Sequence, residues 1–118
     1  MKDIYIKRVL LTAAAAGDDY LYDERVDPGK ILVITNLCAT WSAMAVTEEA
    51  HFFVEVGATK MFLGEDVPYD TGGHPRWTGM VALGEGSRVG VYCPDITTAD
   101  VVELFIFGVL WDAKSWKQ

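Results

Sequence analysis

A chain of 118 residues in which 51% are hydrophobic has the size of one domain and too much apolar material to stay disordered. Its formal charge of −7, from 17 acids against 10 bases, argues against nucleic acid and anionic membrane as partners, which demand clustered Lys and Arg. Two cysteines, Cys38 and Cys93, make no disulfide framework and read as free core thiols of a protein made in a reducing cytoplasm.

The opening MKDIYIKRVLL is rich in β-branched and aromatic residues and predicts a strand. It holds no long apolar run, so no secretory leader is expected there. No uncharged run in the chain approaches the roughly 20 residues of a membrane helix. TAAAAGDD favours helix by propensity but is too short to stand alone, so a loop or single turn is expected. YLYDERV is a short strand with Tyr20 and Tyr22 on one face. In DPGK, Pro28 fixes one dihedral and Gly29 supplies the next, which predicts a turn.

ILVITNLCATWS is apolar on both faces, as in a buried sandwich strand. Strict alternation there places Ile31, Val33, Thr35 and Leu37 on one side and Leu32, Ile34, Asn36 and Cys38 on the other. AMAVTEEA is a loop or edge segment. HFFVEVG alternates, with Phe52, Val54 and Val56 opposite His51, Phe53 and Glu55. ATKMFLGED is a further strand and VPYDTGGHP a polar turn. RWTGMVAL and RVGVYC are strands joined by GEGS, where Gly84 and Gly86 predict a hairpin turn. Gly90 marks a bulge or the close approach of another backbone, including that of a neighbouring chain. After the loop PDITTAD comes VVELFIFGVLW, the most apolar strand, and then a polar tail, DAKSWKQ. The pattern predicts about eight short strands, with turn signals roughly every 8 to 12 residues and no substantial helix. That is an all-β, antiparallel sandwich or barrel. It forms one domain over residues 1–118, with a short N-terminal arm and a C-terminal arm at 112–118.

The sharpest chemical signal is LGEGSRVGVYC, whose glycines suggest a phosphate-binding loop. A dinucleotide site needs a helix after the glycines, and RVGVYC closed by Pro94 is a strand. His51 and His74 are too far apart in sequence, from each other and from the cysteines, to form a recognisable ligand pair. Ser42, Ser87 and Ser115 lack a nucleophile elbow. Adjacent acids such as Glu48 with Glu49, and Glu65 with Asp66, read as solvated loops, with a calcium loop as the sharper alternative. No enzyme activity and no cofactor are expected. Trp41, Trp77 and Trp111 read as core or inter-subunit residues, whereas Trp116 in its polar tail reads either as an anchor on a neighbour or as part of a tail that folds back on its own domain.

The order of signals resembles that of small tailed-bacteriophage virion proteins. The matching pieces are Pro28-Gly29-Lys30 before a strand that reaches Asn36, then Leu83 through Val91, then Gly108-Val109 in a final apolar strand. The resemblance implies a jelly-roll-like strand order and a non-enzymatic role as a capsid decoration (cement) protein in the virion. It implies a homotrimer bound to the major capsid protein or other virion proteins, without nucleic acid or membrane. Tyr5, Arg8, Trp77, Trp111 and Trp116 are the expected partner contacts. The alternative is a head-fibre or tail module that binds a receptor or glycan through Trp77 and residues 68–76.

Overall fold

The structure, a computed structural model, describes residues 2–12, 17–41, 51–63, 76–96 and 101–116. Among them the runs of Val, Ile, Phe, Tyr and Thr form eight strands: β1 (Lys2–Thr12), β2 (Gly17–Tyr22), β3 (Lys30–Trp41), β4 (His51–Val56), β5 (Thr59–Phe62), β6 (Arg76–Leu83), β7 (Arg88–Ile96) and β8 (Val101–Asp112). One helical turn, α1 (Ala113–Trp116), follows. The expected all-β, antiparallel, sandwich-like fold is what the chain adopts.

Two four-stranded sheets share the strands. Sheet A has the order β1-β8-β3-β6 and sheet B the order β2-β7-β4-β5. Every observed pair is antiparallel. The pairings nest: β1 with β8, β2 with β7, β3 with β6 and β4 with β5. A chain folded back on itself about its middle gives this pattern.

The facing sides of the sheets enclose one core. Sheet A contributes Leu32, Ile34, Leu37, Ala39, Leu83, Val102, Leu104 and Ile106, and sheet B contributes Leu21, Phe52, Val54, Val89, Val91 and Cys93. In β3 strict alternation fails. The register shifts between Ile34 and Asn36 against both β6 and β8. The extra residue turns the strand over, so Leu37 and Ala39 follow Leu32 and Ile34 inward and Cys38 faces out.

The turns differ from their expected role. β6 and β7 lie in different sheets, so GEGS is not a hairpin but a crossing from sheet A to sheet B. DPGK crosses likewise from β2 to β3. Gly29 and Gly86 take positive φ, +79° and +80°, whereas Gly84 does not. The two turns brace each other: Gly86 N–H donates to Val26 C=O at 2.9 Å and Val26 N–H to Ser87 C=O at 2.8 Å. Among the described residues one pairing joins consecutive strands, β4 with β5, and it turns at Gly57 and Ala58.

The proposed arms are tied down where the structure describes them. Lys2 to Thr12 pair with β8 along their whole length as an edge strand. Ala113 N–H donates to Gly29 C=O at 2.8 Å, which docks the start of the tail on the DPGK turn.

Candidate functional site

Pairing in register decides what each sheet shows on its outer side. In sheet A, Ile4, Ile6, Arg8 and Leu10 of β1 lie beside Val109, Phe107, Phe105 and Glu103 of β8. Beyond β8 the same side carries Val33 and Cys38 of β3, then Ala82 and Thr78 of β6. This side is apolar and open. Ile4 is 81% exposed, Ile6 69%, Leu10 57% and Met80 77%. Aliphatic side chains exposed together across a sheet are uncommon on a surface that faces only water. Arg8 is tied into this face through Glu103, Nε to Oε2 at 2.7 Å.

The bulge in β3 opens a depression of about 370 Å³ in this face, lined by Asn36, Cys38, Arg76, Trp77, Thr78 and Phe107. Asn36 Nδ2 donates to Thr78 Oγ1 at 3.4 Å, and the Thr35 hydroxyl to Phe107 C=O at 3.2 Å. Burial pushes the Cys38 thiol above its usual value against the pull of Arg76, which keeps it protonated and a poor nucleophile.

Sheet B carries a different surface. Tyr20, Tyr92 and His51 form one row across its outer side. Tyr22, Gly90, Phe53 and Phe62 form the next, and Arg88, Glu55 and Lys60 the third. The rings pack on one another. Tyr20 and Tyr92 stack with centroids 4.6 Å apart. Phe53 meets Tyr20, Tyr22 and Phe62 with centroids 5.6 to 5.9 Å away. Phe53 is fully buried on this outer side because Gly90 beside it has no side chain. A Cβ at Gly90 would stand 2.6 Å from the Phe53 ring and 2.6 Å from the Leu21 carbonyl oxygen. No bulge marks Gly90, and the close neighbours are the chain's own side chain and backbone rather than another chain.

At the end of this face Glu55 is buried among three cations. Arg88 Nε donates to its Oε1 at 2.7 Å, Arg25 stands 3.5 Å away and Lys60 3.6 Å. The Arg88 bond holds the Glu55 carboxyl below its usual value despite burial. Lys60 Nζ also lies 5.0 Å from the Tyr20 ring, and the Arg88 guanidinium 3.6 Å from the Tyr22 ring.

The five expected contacts divide. Arg8 and Trp111 share the outer side of sheet A, where Lys2 Nζ lies 5.2 Å from the Trp111 ring. Tyr5 faces inward and donates to Asp23 at 3.4 Å. Beside it Lys7 Nζ stands 2.8 Å from Asp23 Oδ1, close enough for ionic attraction, though no well-aimed hydrogen bond satisfies that buried oxygen. Trp77 packs against the core, and its Nε1–H donates to Leu63 C=O at 2.9 Å. The Trp116 and Trp41 side chains, His74, the paired acids at 48–49 and 65–66, and residues 68–75 of the expected glycan loop lie outside the described residues. Among the described residues no three His, Cys, Asp or Glu come together as a metal-binding group, and no helix is long and apolar enough to cross a membrane.

Ile4, Ile6, Leu10 and Met80 were not among the expected contacts. Their alternation was visible, but the inner row of the same strand, Tyr5, Lys7 and Val9, is no more apolar, so the pattern alone did not say which row faces water. No protein-family model matches this chain, and no curated protein is similar to it in sequence.

Proposed function

We propose that this chain is a non-enzymatic structural protein of a phage virion, of the decoration kind, and that it seats on neighbouring capsid subunits through the outer side of sheet A. The observation that carries this reading is the open aliphatic face of Ile4, Ile6, Leu10 and Met80, which a protein partner would bury. The depression beside it offers a socket for a protruding side chain. The nested strand pairing supports reading the sandwich as a jelly roll, an architecture that recurs in viral capsid domains. A trimer placed at symmetric capsid positions belongs to the same reading, since repetition multiplies a modest contact. The test is to mix the purified chain with emptied capsids of the phage that encodes it. Co-sedimentation and a raised capsid melting temperature are expected. Absence of binding at micromolar concentrations of both would overturn the proposal.

A further inference from the structure

We infer that the outer side of sheet B is a second binding face, and that it takes a carbohydrate chain bearing carboxylates. Three observations carry this assignment. First, the face is aromatic rather than aliphatic. Phe62 is 51% exposed and Tyr20 42%, with Tyr92 and His51 between them in the row and its neighbour. Rings of this kind present flat apolar surface to the C–H side of a sugar ring, and the exposed Tyr20 adds a phenolic hydroxyl at the edge of that surface. On the outer side of sheet A the most exposed large side chains are aliphatic, Ile4 and Met80 above all, with Phe107 only 37% exposed, and that contrast favours a sugar on sheet B and a protein surface on sheet A.

Second, the charge is of the wrong sign for the rest of the molecule. The chain carries −7 overall. Yet Arg25, Lys60 and Arg88 surround the single carboxylate of Glu55, which leaves an excess of positive charge among the described side chains at that end of the face. A local positive field on an acidic protein selects an anionic group. The rows of the sheet place that end about 7 Å from the Phe53–Phe62 row, within reach of one short saccharide lying along the strands.

Third, the site is preorganised. Phe53 is locked over Gly90, the cations are held by Glu55, and the exposed rings lean on Phe53. Little side-chain freedom remains to be lost on binding. The two outer sides of a sandwich also point in opposite directions. A chain seated through sheet A would therefore hold the aromatic face away from the particle, but the assignment stands on the chemistry of sheet B alone.

The experiment presents the intact protein to an array of neutral and carboxylate-bearing glycans, with Tyr20→Ala, Phe62→Ala and Lys60→Gln variants alongside. Both rings are about half exposed and pack on Phe53, so the alanine variants should stay folded but melt somewhat below the parent, whereas Lys60→Gln leaves every ring in place. Binding to acidic glycans is expected, weakened about tenfold by either alanine variant and lost as salt rises. Lys60→Gln should erase the preference for acidic over neutral glycans. An array with no binding, binding that all three variants retain, or a change in oligomeric state on Tyr20→Ala in place of any glycan signal would overturn the inference. An Ile6→Glu variant should bind the same glycans unchanged, which keeps this outcome separate from that of capsid binding.

Discussion

Two residues on sheet B show how single positions decide what a face can be. Gly90 is required for space. Any side chain there meets the Leu21 carbonyl and the Phe53 ring at once, and a backbone atom cannot swing aside. Gly90→Val should destabilise the fold by about 2 kcal/mol or more in chemical denaturation, with the purified protein less stable before any partner is added. A glycine kept for contact with another chain would give a variant that folds normally and fails only in assembly. Glu55 is required for charge. Its folded value lies below the ordinary glutamate value of 4.5, so its stabilisation is fully present above that value and fades as pH falls through the lower one. The melting temperature should therefore drop on acidification from about pH 5 to pH 3, and the drop should be shallower in Glu55→Gln. That variant should also melt lower at neutral pH, because Arg25, Lys60 and Arg88 would then face one another without their carboxylate. Sequence alone marked Gly90 as special but left its neighbour unknown, because Phe53 reaches it only through the pairing of β4 with β7. Alternation placed Glu55 only on the face of His51 and Phe53, and its three cations stayed hidden because they arrive from other segments of the chain.

At the scale of elements, alternation and turn chemistry made the strands legible, and pairing remained hidden. DPGK and GEGS carry strong local signals, yet a turn signal does not say whether the next strand pairs with the last or crosses to the other sheet. Crossing is what both do, since the turns stack on each other through Val26, Gly86 and Ser87. The bulge at Thr35 was equally hidden. One extra residue reversed the inward set of β3, which exchanged Cys38 for Leu37 in the core and opened the depression beside Phe107. The N-terminal segment is the clearest test at this scale. As a paired edge strand it supplies Tyr5 and Val9 to the core margin and Lys7 to the buried Asp23. Deleting residues 2–8 should lower the unfolding free energy by at least about 3 kcal/mol, because several ladder bonds worth about 1 kcal/mol each go with the lost packing. A free arm would leave the denaturation curve unmoved.

The whole molecule is a slab with two unlike sides around one apolar core. Composition and alternation were enough to specify the slab, because a chain this rich in β-branched and aromatic residues, punctuated by turns, has few other ways to bury itself. They did not specify the sides. Which row of β1 faces out depends on the partner strand, and the rings of sheet B are far apart in sequence until β2, β7, β4 and β5 are laid together. Among the tryptophans, Trp77 turned out to be committed to the core and to Leu63. The contact surface proposed above instead falls on aliphatic residues that attract no notice in a list of sequence motifs. Ile6→Glu places a charge between Ile4 and Leu10 along the edge strand of that surface, at a position 69% exposed, so it should change stability by no more than about 0.5 kcal/mol. It should nevertheless reduce capsid binding at least tenfold in co-sedimentation, since a desolvated charge without a partner is strongly disfavoured in an interface.

Electron cryo-microscopy of the assembled phage particle bears on the proposed role without intermediates. Density for this chain is expected on the outer surface of the capsid, with Ile4, Ile6, Leu10 and Met80 packed against neighbouring subunits and Tyr20 and Phe62 turned outward. A particle that lacks the chain, or one in which the aliphatic side of sheet A faces solvent, would contradict it.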